Sequence, residues 1–545
     1  MTKDKDSFDL ITREVIRGAL EYIAEEMGII LRNAAYSTNI KERMDHSCSL
    51  FDFQGRMMAQ AEHIPVHLGA MPLTVKSIKE SFEGETYPGD SFILNDPFMG
   101  GTHLPDITIV TPVYFQNELV GYSVSRAHHN DVGGMTPGSM PGDAQEIFQE
   151  GLRIPPVKLV EKGEVKNDIL NIIMTNSRTP QIRKGDLMAQ LSANWTGEKR
   201  LQELIKQKGI QTFKQAVTEI LNYSERRFLA ILEDFPQTIA EANDYMDGDG
   251  ITNEQIKIHV KIELAKNMIT FDFTGTDKQV KGAVNCPFAV TLSGAYYVIR
   301  AITDPTIPAN EGLYRHLDVI VPEGTLLNAQ PPAAVVGGNV ETSQRVVDTL
   351  LKAFAKIMPN RIPAASQGTM NNIIIGGQNQ TGESFTFYET IGGGTGARPT
   401  KDGVDGIHSN MTNTMNTPIE EIEVRYPLEV FEYALRNNSG GRGKYRGGLG
   451  IKRVFQTRVP VIVNVLGERQ KTRPWGLKDG QAGEAGIYFK LSETNQKTIL
   501  PGKSTSILLP GEILVIKTPG GGGYGEAKNR PNPLTKNDKE NEKVI

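Results

Sequence analysis

Three of the chain's nine histidines fall between Asn95 and Gly134, in NDPFMGGTHLPDITIVTPVYFQNELVGYSVSRAHHNDVGG, beside acidic residues and glycine. Ile107 to Phe115 and Leu119 to Arg126 are rich in β-branched and aromatic residues and flank Gln116-Asn117-Glu118, the pattern of an antiparallel hairpin. A three-residue loop sets Asp106 directly opposite His128, whereas a two-residue loop of Gln116 and Asn117 slips the register by one and sets Pro105 there. In both registers His103, Asp106 and His128 share one end of the hairpin. Two imidazoles and a carboxylate suit a divalent ion such as Zn, Mn or Fe, and so few protein ligands leave positions open for water or substrate, the mark of a catalytic centre. The competing reading is a polar strand end, in which His103 caps a turn before Pro105 and the His128-His129 pair bonds backbone. No HExxH and no paired CxxC decides between them. Strand alternation sends His129 to the opposite face, so only one of the pair is a ligand.

The elements around this hairpin are legible in outline. Helical periodicity runs from about Asp9 to Ala35, with Leu10, Val15, Leu20, Ile23, Met27 and Leu31 as its apolar stripe. Strands around a Gln54-Gly55 turn and a helix from Ala70 to Phe82 follow. The expected class is mixed α/β and multidomain: an N-terminal α/β metal-binding module (1–165), a helical segment (166–250), a central α/β region (251–417) and a C-terminal β-rich domain (418–527). Within the second segment Asp168 to Ala242 reads as mostly helical, with Pro180 at a helix start and Pro236 interrupting the last stretch. The central region opens on a hairpin around Ala265-Lys266-Asn267 and continues through helices at 288–303 and 343–357. In VVGGNVETSQRVVD a glycine turn leads into a helix that Thr342 or Ser343 caps, and free N–H groups there suit an anion as well as a plain helix start. The charged, proline-containing tail 528–545 is expected to be disordered.

Composition narrows the function. A length of 545 residues and 39% hydrophobic content allow several cores. A net charge of −5 with no basic stripe argues against nucleic acid as a partner. Cys48 and Cys286 are far apart, MTKDKDSFDL lacks a signal-peptide core, and no apolar run reaches membrane-spanning length, so the cytoplasm is the expected compartment. Cys48, two residues from His46, invites a nucleophile reading, but a lone Cys in an apolar strand more often packs. The glycine clusters at 392–399, 439–448 and 518–525 match neither GxxxxGK[ST] nor GxGxxG in a strand–helix context, and tight backbone packing explains them equally.

Taken in order, NIKERMDHSCSLFD, IPVHLGAMP, NDPFMGGTHLPD, AHHNDVGG, EGLRIPPVKL, GGNVETSQRVVD, GGGTGARP, NTPIEEIE, SGGRGKYRGGLG and PGGGGYG resemble the hydantoinase B family over roughly residues 8–527. That family includes B subunits of ATP-dependent N-methylhydantoin and 5-oxoproline hydrolases and the related alpha subunits of acetone and acetophenone carboxylases. The resemblance implies a divalent metal held by His103, Asp106, His128 and an upstream acidic residue, Glu42, with Asp45 as its rival. It also implies a hydantoinase A-type ATPase partner that uses the ATP and phosphorylates a ring amide oxygen, in a hetero-oligomer. Phosphorylation removes the amide resonance, and a metal here then supplies the nucleophile from water or polarises the activated carbon. His63, His67, Asp131 and Glu150 are the candidates for proton transfer or for supporting the ligands. Substrate contacts are expected from loops 339–345 and 392–398, with Asn339, Glu341, Thr342, Ser343 and Arg345 as the named candidates. The expected activity is cyclic-amide hydrolysis; the alternatives are an acetone-type carboxylase alpha subunit, which is a considerably longer chain, and a non-catalytic assembly subunit.

Overall fold

The computed structural model describes residues 8–61 and 64–544. Its first sheet is antiparallel, in the order β2-β1-β5-β4-β3-β6-β7, built from β1 (His46–Asp52), β2 (Met57–Ala61), β3 (Ser91–Leu94), β4 (Asp106–Phe115), β5 (Glu118–His128), β6 (Val157–Glu161) and β7 (Glu164–Val165). Every residue of β1 and β2 is buried, so this sheet is covered on both faces. One cover comes from α1 (Leu10–Ala34), α5 (Pro180–Lys208) and α6 (Ile210–Leu232), with the short α2 (Thr38–Lys41) and α4 (Asn167–Thr175) beside them; α3 (Ala70–Ser81) lies on the other face, its Met71, Val75 and Ile78 in one core with Phe51, Phe92 and Val110. Asp9 caps α1 by accepting from Thr12 N at 2.9 Å. The buried stripe of α1 is Ile16, Leu20, Ile23, Met27 and Leu31, each side chain contributing roughly 1.5–3 kcal/mol. Leu10 and Val15, expected in that stripe, are 64% and 48% exposed: the helix turns Ile16 inward, and they fall on the far side.

The central sheet has the order β11-β10-β9-β8, from β8 (Thr238–Met246), β9 (Ile256–Ala265), β10 (Met268–Asp272) and β11 (Leu317–Ile320). Around it lie α7 (Phe288–Ile302), α8 (Glu311–Tyr314) and α9 (Ser343–Ile357). The helical reading of the segment to Ala242 fails at β8. Its sequence TIAEANDYM alternates, Ala240, Ala242, Asp244 and Met246 pointing inward, and β9 pairs with it along its whole length. The third sheet, β13-β12-β16-β19, joins β12 (Asn372–Gln378) and β13 (Ser384–Glu389) to β16 (Val461–Leu466) and β19 (Lys503–Leu508). It therefore draws strands from both sides of the boundary expected at 418. After α10 (Ile419–Arg425), the fourth sheet contains β14 (Leu428–Arg436), β15 (Gly450–Thr457), β20 (Ile513–Lys517), β17 (Ile487–Leu491) and β18 (Lys497–Leu500). Among the described residues no helix is long and apolar enough to cross a membrane.

The three glycine clusters meet one another. Gly394 N donates to Pro519 O, Gly448 N to Thr395 O, Gly521 N to Gly448 O and Gly441 N to Gly521 O, all at 2.8–3.1 Å and outside any sheet. A Cβ on Gly521 would stand 1.9 Å from Thr395 O, and one on Gly394 the same distance from Gly448 O. Backbone-to-backbone approach accounts for these glycines. The described part of the tail contains a helix: α11 (Asn532–Glu540) buries Asp538, which pairs with Arg530 at 2.6 Å and Arg446 at 3.3 Å. Charged composition predicted disorder there because it carries no information about a partner surface.

Candidate metal centre

The hairpin closes with the two-residue loop, both Gln116 and Asn117 at positive φ (51° and 65°), and yet Asp106 still faces His128. A bulge reconciles the two. Phe115 pairs with Glu118 and Tyr114 with Leu119, the register then shifts, and from Val113–Gly121 onward the pairing runs to Asp106–His128. His103 reaches the same end through the turn that follows the left-handed Gly100, φ 90°.

Asp106 is the hub. Its Oδ2 lies 3.0 Å from His103 Nδ1 and 3.6 Å from His67 Nε2, and its Oδ1 lies 3.6 Å from His128 Nδ1. Thr102 Oγ1 donates to Oδ2. Ligand atoms of His103, Asp106 and His128 all lie within 4.8 Å of one another, and all three residues are buried. Burial alone would raise the Asp106 carboxyl, but His103 and His67 beside it hold it well below the usual carboxylate range, as an anion. Burial, with His103 next to it, pushes His128 well below the usual imidazole range, so this ring stays neutral and keeps a lone pair to donate.

Asp45, Ile64, Val66, His67, Asp106, His128, Asn339 and Tyr388 are among the residues around a cavity with about 20 Å³ of free space, enough for one water-sized occupant. His128 Nε2 and Asn339 Oδ1 are buried at this site without a hydrogen-bond partner. A compact set of N, N and O donors, an anionic carboxylate and an orphaned imidazole nitrogen around so small a space fit a divalent cation.

Of the two upstream acids, Asp45 reaches the cavity. It is 6% exposed, and burial raises its carboxyl. Glu42 ends α2 half-buried and is absent from the cavity wall, because the left-handed Met44, φ 56°, turns the chain between them. His67 joins the centre, its Nδ1 2.9 Å from Ser47 Oγ. His63 lies outside the described residues. Asp131 and Glu150 stand apart from the cavity. Asp131 has both oxygens engaged, by Gly133 N, Gly138 N, Arg178 N and Arg178 Nη1 at 3.0–3.1 Å. Glu150 Oε1 accepts from Val335 N at 2.7 Å and Val336 N at 2.9 Å, and so holds the chain leading to Asn339. His129 faces away, its Nε2 2.8 Å from Gln190 Oε1. Cys48 is fully buried and its thiol is pushed up by that burial, as packing requires and a nucleophile does not.

The substrate candidates separate similarly. Asn339 Nδ2 lies 2.9 Å from His103 Nδ1, which puts it at the centre. The segment Gly338–Thr342 is a π-helical turn running into α9, an irregularity frequent at functional sites, so no cap forms at Thr342 or Ser343. Thr342 Oγ1 donates to Val284 O and Ser343 Oγ to Asn339 O. Glu341 Oε1 accepts from Met370 N and Asn372 Nδ2. Arg345 is spent in a buried network, 2.9 Å from Glu468 and 3.6 Å from Asp244. Sequence reading missed Tyr388, Met370 and the Met411–Thr414 wall. They lie more than 200 residues from the hairpin, and no spacing signals their approach.

The hydantoinase B/oxoprolinase family model matches residues 9–527. A Methanocaldococcus jannaschii protein is 46% identical, over 98% of this chain and 94% of its own. The B component of a D-/L-hydantoinase from a Pseudomonas species is 34% identical over 99% of this chain and 93% of its own. 5-Oxoprolinase 1 of Arabidopsis thaliana is 39% identical over 95% of this chain, which spans 42% of that protein's length. Among solved structures, the ATP-dependent caprolactamase of Pseudomonas jessenii superposes with a TM-score of 0.93 at 29% identity, over 99% of this chain and 95% of that one. Acetone carboxylase shares the fold, with a TM-score of 0.89 at 18% identity over 99% and 79%.

Proposed function

Because this chain belongs to the hydantoinase B/oxoprolinase family, we propose that it is the metal-binding, ring-opening subunit of an ATP-dependent cyclic-amide hydrolase. The observation that carries this reading is the grouping of His103, Asp106 and His128, whose ligand atoms lie within 4.8 Å of one another beside a small buried cavity that Asp106 and His128 line, with His128 Nε2 unpartnered. The likeness to the caprolactamase and the 5-oxoprolinase relative supports a lactam or related ring as substrate. More than half of the Arabidopsis protein lies beyond the matched part, which leaves room there for an activating unit; here that role falls to a hydantoinase A-type ATPase partner in the cytoplasm.

A divalent ion, when bound, would supply Lewis acidity to the activated carbon and a nucleophile from water at neutral pH. The residues of the chain do the rest. Asp106 contributes the negative charge that holds the cation, and His128, kept neutral by burial, contributes a lone pair. Asn339 fixes His103. His67, oriented by Ser47, is placed to carry the protons of the attacking water to the ring nitrogen as its bond to the carbonyl carbon breaks, which leaves an acyl phosphate whose phosphate a second water displaces; Asp45 is a second buried carboxyl on the same wall. Val66, Val340, Met370 and Met411 limit water around the reacting carbon.

The test combines the purified chain with its ATPase partner, ATP and either 5-oxoproline or acetone with bicarbonate, and identifies the product. Ring-opened amino acid is the expected result. Acetoacetate would replace the hydrolase by a carboxylase, and ring opening unaffected by His103→Ala would reduce this chain to an assembly role.

A further inference from the structure

We propose that Tyr388 is a positioning residue for His128: its ring sets the plane of the imidazole, and its hydroxyl ties that plane to the π-helical turn bearing Asn339. The proposal rests on the metal-centre reading above. The imidazoles around the site are held in different ways. His67 has Ser47 at 2.9 Å and His103 has Asn339 at 2.9 Å, but His128 Nδ1 is 3.6 Å from Asp106, beyond hydrogen-bonding distance, and His128 Nε2 has no partner. A metal-ligating histidine ordinarily has its ring fixed by a hydrogen bond from the nitrogen that does not bind the ion. At His128 a stack stands in that place, the ring lying on Tyr388 with centroids 4.6 Å apart and planes 12° apart.

The tyrosine is itself immobilised. It is 2% exposed on β13, with Ile374 of β12 as its cross-strand partner. Its hydroxyl donates to Asn372 Oδ1 at 2.9 Å, and Asn372 Nδ2 donates to Glu341 Oε1 at 3.0 Å. The Arg43 guanidinium lies over the same ring, 4.4 Å from its centroid, and bonds Thr390 Oγ1 at 2.8 Å. The π-helical turn thus reaches both halves of the centre, His103 directly through Asn339 and His128 through Glu341, Asn372 and Tyr388.

Titration with Co²⁺, followed by visible absorption at the full chain, tests this. Wild type is expected to bind one equivalent with a ligand-field spectrum that His128→Ala abolishes. Tyr388→Leu, which removes the flat face, should weaken Co²⁺ binding by about 10- to 100-fold and alter the spectrum. Tyr388→Phe keeps the face and should restore the wild-type spectrum with about a 3-fold loss, Asn372→Ala should cost about the same, and the double variant should cost no more than either. Tyr388→Leu with wild-type affinity and spectrum overturns the positioning role. If that variant does not fold, additive losses or none at all from Tyr388→Phe and Asn372→Ala overturn it instead. A wild-type chain that binds no Co²⁺ overturns the metal centre, and the positioning role with it.

Discussion

Asp106→Asn is expected to yield a folded protein that has lost its ring-opening activity by roughly 100- to 1,000-fold. Asparagine matches the shape and still accepts from Thr102, so the hairpin end survives. What disappears is the anion that lies within 3.6 Å of a ring nitrogen of each of His67, His103 and His128. Burial disfavours a charge here, and the neighbouring imidazoles stabilise it. Without the carboxylate, nothing at the hub compensates a cation for leaving water. Ring-opening assays with the ATPase partner, paired with an unfolding midpoint close to wild type, check this expectation.

Glu150→Gln is expected to remove a large pH dependence of stability. Burial pushes the Glu150 carboxyl up to about 8 from an ordinary 4.5. Below about pH 4.5 it is neutral in the folded and the unfolded chain and costs nothing. As pH rises from there the unfolded chain releases the proton while the folded chain keeps it, so stability falls until about pH 8, where the folded carboxyl ionises too. Glutamine still accepts from Val335 N and Val336 N and cannot ionise. The variant should match wild type near pH 4 and exceed it at pH 9 by on the order of 4 kcal/mol. Urea unfolding at both pH values measures this. Glu341, also pushed up to about 8, leaves a second such fall in the variant.

The hairpin shows how far the sequence reaches. Apolar runs around Gln116 and Asn117 locate both strands, and His103, Asp106 and His128 meet at one end in either register. The observed combination of a two-residue turn with the Asp106–His128 pair needs the bulge near Val113, which no residue type there declares. The wall formed by Tyr388, Met370 and Met411–Thr414 is invisible for another reason: those side chains arrive through the pairing of distant strands, which local pattern does not encode. Choosing between Glu42 and Asp45 depends on Met44 adopting a left-handed φ, a conformation that methionine does not advertise. At β8, Ala and Glu favour a helix, and the neighbouring strand overrides them. Arg345 misleads in the opposite sense, because a cation near a glycine turn suggests an anionic ligand, whereas Glu468 and Asp244 already neutralise it.

Metal binding through the hairpin is the property on which the proposed chemistry depends. Metal content of this chain, purified without chelator, is measured beside His103→Ala and His128→Ala. One equivalent of a divalent transition metal in wild type, with loss from both variants that keep their unfolding midpoints, is the predicted result. Equal metal content in all three proteins, or none in wild type after incubation with Zn²⁺, Mn²⁺ and Fe²⁺, would contradict it.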